Sequence, residues 1–336
     1  MIECIFTLDY EIYGNGLGSL RELVLDPTRR LADIFQEVDA PFVVFAEAVE
    51  LAKMEETRSD PDIGEVGAQL RGLRAAGHEI ALHLHPWWAN ARYEDSRWHL
   101  DWSERNICVL KPERVEAIVS GGIAYLRRAL NDPSFTPESF RSGLWLMQPT
   151  HVIAKVLAQH GILIDSSVFK GGRVNGLQLD YRSVPSKRHS WRFGEDVVVP
   201  DPEGELREIP IYTQMVPFWS MLGRKRLSLQ SKTRSASKYS PLPRQLSDFL
   251  RFRYPRKLDF CRMTFKEMRE SLVKVLKQHQ RNGVTHSSVV AIGHSKDFVD
   301  ADALRSFLAF LRERSVPVTT FSRLVRQEAQ LFSRVS

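Results

Sequence analysis

Residues Gly77-His78-Glu79-Ile80-Ala81-Leu82-His83-Leu84-His85-Pro86-Trp87-Trp88 decide the fold of this 336-residue chain. Just before them, residues 62–76 carry a helical pattern, and Gly77 supplies the stop such a helix needs. Residues 80–84 are then a short apolar run with the length and composition of a buried strand. Further strand patterns stand at 2–8, 41–45, 140–145, 162–165, 288–292 and 316–321. Helical patterns stand at 27–38, 114–130, 150–160 and 303–314. Strands and helices that alternate in this way imply parallel strands covered by helices. About seven such units predict an α/β fold with a barrel-like sheet, in which chemistry collects at the carboxyl ends of the strands.

Two stretches interrupt the alternation. Residues 171–212 read as an irregular, β-rich excursion within a single barrel domain spanning 1–336. Residues 221–262 read as a basic insertion, with 12 Lys/Arg against 2 Asp/Glu. The net charge of the whole chain is +6, so this stretch at +10 leaves a mildly acidic body. Basicity confined to one segment suits contact with anionic lipid headgroups or a pyrophosphate-linked glycan, or a plain solvated loop. No nucleic-acid module accompanies it.

Composition excludes other classes. With 43% hydrophobic and 26% charged residues the chain is neither disordered nor fibrous. No apolar run approaches the roughly 18 residues of a membrane span. Cys4, Cys108 and Cys261 are scattered, which fits neither a disulfide framework nor a CxxC pair. The opening Met1-Ile2-Glu3-Cys4 lacks the basic start of a secretory signal, which sets the expectation of a cytoplasmic protein.

The strand-end rule selects four groups of residues. Asp9 and Glu11 end the first strand at i and i+2, on one face, which suits a metal site or an acid–base pair. His83 and His85 end another strand with the same spacing. With one carboxylate they make the three-ligand set of a zinc-type site that keeps a position open. Two hydrogen-bonded histidines beside an aromatic patch would look the same. His294 follows residues 288–292, where it can donate a proton to a leaving group. Next to it, Lys296 is a substrate-binding candidate, and Lys296-Asp297 also reads as a solvated loop. Arg141 sits in an apolar context and needs an acid, for which Asp9 and Asp165 are the candidates. Trp87, Trp88 and Trp145 are candidates to stack on a sugar ring or to pack in the core. His78, at the opposite strand end, reads as structural.

In chain order these motifs resemble the polysaccharide deacetylases, the NodB-like carbohydrate esterases. Thr7-Leu8-Asp9-Tyr10-Glu11 is similar to their early acidic motif, Gly77 to His83 to their GHEI segment, Phe140-Arg141 to their arginine motif, and His294 to their late histidine. The match runs from Thr7 to about Phe321, leaving out the basic stretch. Glu11 stands where Asp is more frequent. Trp87 occupies the position four residues after His83, so His85 is the nearest second histidine. The arginine motif continues Ser142-Gly143-Leu144 rather than Pro-Tyr-Gly.

The resemblance implies a distorted seven-stranded (β/α) barrel and metal-dependent N-deacetylation of a carbohydrate. It implies Asp9 as base, Glu11, His83 and His85 on a divalent ion (most often zinc), and His294 as acid. Arg141 would orient Asp9, and Asp165 would support that network. The divergent motifs are similar to those of bacterial surface-glycan deacetylases, as in lipopolysaccharide and O-antigen biosynthesis. With the expected cytoplasmic location, the amino-sugar substrate would sit on a nucleotide or lipid carrier. Two rivals stand beside this reading. One is a glycoside hydrolase using Asp9 with Glu11 or Glu79, since residues at i and i+2 lie roughly 6–7 Å apart at Cα, which does not exclude the carboxyl separation of about 5–9.5 Å that such enzymes need. The other is an inactive relative that binds glycan or scaffolds an assembly.

Overall fold

The computed structural model describes residues 1–174, 176–185, 188–217, 253–282 and 286–333. Most of the basic stretch, 218–252, therefore lies outside the described residues.

The first half alternates strongly. It contains β1 (Ile2–Tyr10), α1 (Asp26–Gln36), β2 (Val43–Glu47), α2 (Ala48–Thr57), α3 (Ile63–Ala75) and β3 (Glu79–Leu84). A small hairpin, β4 (Arg92–Glu94) with β5 (Arg97–His99), precedes the long α4 (Pro112–Leu130). Then come β6 (Ser139–Ser142), α5 (His151–Gln159) and β7 (Ile164–Asp165). The irregular excursion holds the hairpin β8 (Arg173–Val174) and β9 (Leu179–Asp180), then β10 (Trp191–Phe193) and β11 (Leu206–Glu208). Strand β12 (Thr213–Pro217) pairs antiparallel with β13 (Arg253–Lys257). The chain closes with α6 (Phe265–Asn282), β14 (Ser287–His294), α7 (Ala301–Glu313), β15 (Val318–Thr319) and α8 (Phe321–Ser333).

One curled sheet runs β10-β11-β7-β6-β3-β2-β1-β14, with β15 pairing the start of β1. From β11 to β14 its seven strands are parallel, as the alternation predicts. The ends approach each other through Ile211, which bridges Phe169 on one side and Val290 on the other. β1 and β14 are buried along their whole length, the mark of central parallel strands covered on both faces. Pro at the first turn starts α1 and α4, and the left-handed Asn131 ends α4 by giving its N–H to the Arg127 and Arg128 carbonyls.

The structure departs from the sequence reading in several places. The strand expected over 140–145 stops at Ser142, where Gly143–Trp145 turns sharply and Leu144 and Trp145 take left-handed φ of 53° and 59°. Helix α2 follows β2 without any turn residue to announce it. The last strand pattern, 316–321, yields only Val318–Thr319 before Phe321 opens a helix. Finally, within the stretch expected as an insertion, residues 253–257 pair with β12 and residues 258–260 bond to β14. Ile292 N–H donates to the Leu258 carbonyl at 2.8 Å, and Phe260 N–H to that of Ile292 at 2.9 Å. Among the described residues no helix is long and apolar enough to cross a membrane.

Candidate metal and acid–base site

Sheet register brings the strand ends together. Asp9 pairs with His294 on one side of β1 and with Phe45 on the other. His83 lies between Glu47 and Arg141. Neighbouring residues in a parallel ladder point to the same face, so Asp9, His83, Arg141 and His294 share one mouth.

Glu11, His83 and His85 form a buried cluster whose ligand atoms all lie within 4.8 Å of one another. His83 Nδ1 lies 2.8 Å from the Arg141 carbonyl. A carbonyl only accepts, so Nδ1 carries the proton and Nε2 offers a lone pair, 3.4 Å from Glu11 Oε2. His85 Nδ1 lies 3.2 Å from the same Oε2. Neither Glu11 Oε2 nor His85 Nδ1 makes a hydrogen bond, although both are buried. Buried polar atoms without partners are rare and call for an explanation. A carboxylate oxygen and two imidazole nitrogens this close together fit a zinc-type ion with a remaining open position. Burial pushes the Glu11 carboxyl up, but opposing influences led by the Lys296 ammonium hold it well below its usual range. Burial pushes His85 down to about 3, which keeps its ring neutral and able to ligate.

Asp9 is held from the other side. Arg141 Nη1 lies 2.5 Å from Asp9 Oδ1, while its Nη2 donates to Thr7 Oγ1 at 2.9 Å and its Nε to the Ser166 carbonyl at 2.9 Å. The second oxygen, Asp9 Oδ2, faces His294 Nε2 at 3.4 Å. On the far side of that ring, Nδ1 lies 3.6 Å from Asp297 Oδ2, which in turn holds Arg262 Nη2 at 2.5 Å. The result is one row of alternating charge and imidazole: Arg141, Asp9, His294, Asp297, Arg262.

The remaining candidates sort differently. Arg141 pairs with Asp9, whereas Asp165 hydrogen-bonds Ser167 Oγ at 2.6 Å and shares a buried carboxyl pair with Glu208. Lys296 is not part of a solvated loop. It is largely buried, and its Nζ lies 2.7 Å from both Glu11 Oε1 and the Ile12 carbonyl. Its ammonium is therefore engaged with the cluster and not free to meet a substrate. Trp87 and Trp88 are buried as well. Trp87 packs against the His85 ring at 4.3 Å, and Trp88 lies edge-on to Trp98 at 4.8 Å. Both rings are core, which corrects the expectation that they stack on a sugar. Trp145 is partly exposed, with its ring edge-on to His294 at 6.1 Å.

Sequence reasoning missed several neighbours. Glu47 ends β2 and receives the His85 N–H at 2.5 Å, while Glu50 receives the Ile12 N–H at 2.9 Å. Burial and the nearby Glu50 hold Glu47 well above the usual carboxylate range; burial and Glu11 bring Glu50 to about 8. Asp297, Arg262 and Lys257 complete the rim.

The fold is a distorted (β/α) barrel of seven parallel strands, the architecture the sequence motifs implied. A Mycobacterium smegmatis protein assigned as a polysaccharide deacetylase is similar over 98% of this chain and 91% of that one, with TM-score 0.55 and 18% identity. Puue allantoinase is similar over 97% and 89%, with TM-score 0.50 and 14% identity. The 4-alpha-glucanotransferase of Thermococcus litoralis is similar over 97% of this chain but 38% of that one, with TM-score 0.50 and 13% identity. At these identities the likeness is one of fold. No protein-family model matches the sequence, and no curated protein does.

Proposed function

We propose that this protein is a metal-dependent carbohydrate deacylase that removes an acetyl or formyl group from the nitrogen of an amino sugar. The observation that carries the reading is the adjacency of two devices at one barrel mouth. The Glu11–His83–His85 cluster meets the Asp9–His294 pair across Glu11, whose Oε1 lies 4.0 Å from His294 Nε2. A divalent ion, zinc by choice of donors, would be held by Glu11, His83 and His85, where it supplies polarisation of the acyl carbonyl and acidification of water.

The protein's own residues do the rest. Arg141 occupies Asp9 Oδ1 and orients the carboxylate, so Oδ2 is the atom left to act as base. Asp9 Oδ2 takes a proton from the attacking water as its oxygen bonds to the acyl carbon. His294 Nε2, 3.4 Å away, receives that proton and delivers it to the sugar nitrogen as the C–N bond breaks. Burial and Lys296 keep His294 well below the ordinary histidine range, so its ring starts neutral. Trp145 lines the space beside His294 and gives the sugar an apolar wall.

The divergent motifs and the +10 stretch support a finer reading: a surface-glycan pathway of the lipopolysaccharide or O-antigen kind. The substrate would be nucleotide- or lipid-linked, and the protein would work in the cytoplasm with the part of 221–262 that precedes Arg253 against anionic headgroups. The deciding experiment measures the metal content of protein purified without chelator, then amine release from N-acetylated and N-formylated sugars. Stoichiometric metal that is lost in His83→Ala, together with metal-dependent release, is the expected result. Glycosidase activity in metal-free protein overturns it, as does metal-free, inactive protein that still binds glycan.

A further inference from the structure

Building on the deacylase reading, we infer that the substrate is an anionic amino sugar whose negative group is seated by Lys257 and Arg262 beside His294. The starting point is an unmatched ammonium. Lys257 closes β13, and its Nζ lies 2.9 Å from the centre of the Trp145 ring and 4.3 Å from that of Phe169. Trp145 is the ring that stands edge-on to His294, so this cation sits one side chain away from the proposed acid. Among the described residues Lys257 Nζ has no hydrogen-bond or ion-pair partner. The two ring faces hold the cation in place but bring no charge to neutralise it.

Asp259 and Asp9 bear on Lys257 through charge, but none of the site's carboxylates hydrogen-bonds it, and their partners are other groups. Asp9 is taken by Arg141, Glu11 by Lys296, and Asp297 by Arg262. Asp259 accepts the N–H groups of Cys261 at 3.1 Å and Arg262 at 3.0 Å. A desolvated cation without a partner is costly, and burial accordingly brings Lys257 down to about 7.

Two further donors point the same way. Arg262 spends Nη2 on Asp297, yet its Nε–H is buried without an acceptor while the side chain remains 43% exposed. Trp145 Nε1–H is likewise buried without an acceptor. Lys257 and Arg262 are close enough for the guanidinium to depress the ammonium further. Three N–H groups that lack acceptors, two of them cationic, call for an oxyanion. A sugar-acid carboxylate and a sugar phosphate both meet that description.

The test is calorimetric binding at low ionic strength to the metal-loaded protein and its Lys257→Met and Lys257→Arg variants. The probes are N-acetylglucosamine as the neutral sugar, N-acetylglucosamine 1-phosphate, and N-acetylgalactosaminuronic acid. At least one anionic probe should bind about tenfold or more tightly than the neutral one. Lys257→Met should erase that advantage, and Lys257→Arg should keep most of it. The preferred anion then separates phosphate from carboxylate. Equal binding of all three probes by the wild type, or a preference that survives Lys257→Met, overturns the proposal. The wild-type comparison decides alone if the variant does not fold. Binding is read without turnover, so an anion preference in a protein that releases no amine would sink the deacylase reading and leave the seat standing.

Discussion

Arg141 reaches Asp9 across the barrel, 2.5 Å from Nη1 to Oδ1, and both side chains are buried. A buried charge is tolerated only when paired and hydrogen-bonded. Here the guanidinium fork is filled on three sides, by Asp9, by Thr7 and by the Ser166 carbonyl. Removing one member strands the other, at a cost of about 3–5 kcal/mol. Arg141→Met should therefore lower the unfolding midpoint strongly and abolish amine release. Arg141→Lys restores the charge but not the planar fork, so it should recover part of the stability while amine release stays down by about 100-fold. Full activity in Arg141→Lys would show that Asp9 needs a positive charge but no particular orientation.

Gly143 owes its place to His85. A Cβ built on Gly143 would meet His85 Cδ2 at 2.3 Å and the Leu84 carbonyl at 2.6 Å. No real Cβ approaches that closely, so Gly143→Ala must push the imidazole or bend the strand end. Because His85 Nδ1 is one of three clustered donors, the expected outcome is a loss of about tenfold or more in zinc affinity, with the fold retained. Zinc titration against a chromophoric chelator measures it. Unchanged affinity would remove His85 from the ligand set.

The strand ends were legible because each polar residue there interrupts or closes an apolar run. That signal placed Asp9, Glu11, His83, Arg141 and His294 at one mouth. The same signal was present and unused at Glu47, which closes Val43–Glu47. Other neighbours carry no local signature. Arg262 and Lys257 reach the site because residues 253–260 fold back beside β12 and β14, and that is a tertiary event. Trp88 was misjudged for a local reason: Pro86–Trp88 makes one tight turn that swings the ring inward, where adjacency to His85 along the chain no longer means access to the mouth.

The two tryptophans should consequently respond in opposite ways. Trp88 is fully buried against Trp98, so Trp88→Ala leaves a large cavity and should cost about 3–5 kcal/mol. Trp145 is partly exposed beside His294, so Trp145→Ala should change the unfolding midpoint far less and raise KM for the sugar. Urea unfolding and steady-state amine release distinguish the cases. A large stability loss from Trp145→Ala with KM untouched would return that ring to the core.

His78 supplies a pH test far from the metal cluster. It is buried, and its Nδ1 accepts the Phe42 N–H at 3.2 Å, which requires an unprotonated nitrogen. Burial, helped by Arg323, brings it down to about 4 from an ordinary value of 6.5. Between those values the unfolded chain binds the proton and the folded one does not. The contribution to stability is thus fully present above pH 6.5 and is lost as pH falls towards 4. His78→Asn keeps an acceptor near the Phe42 amide and removes the titration. Urea unfolding across that range should show the wild type losing stability relative to the variant as the solution is acidified. Parallel curves for the two proteins would mean that His78 titrates alike in both states, and that its ring is open to water in the native fold.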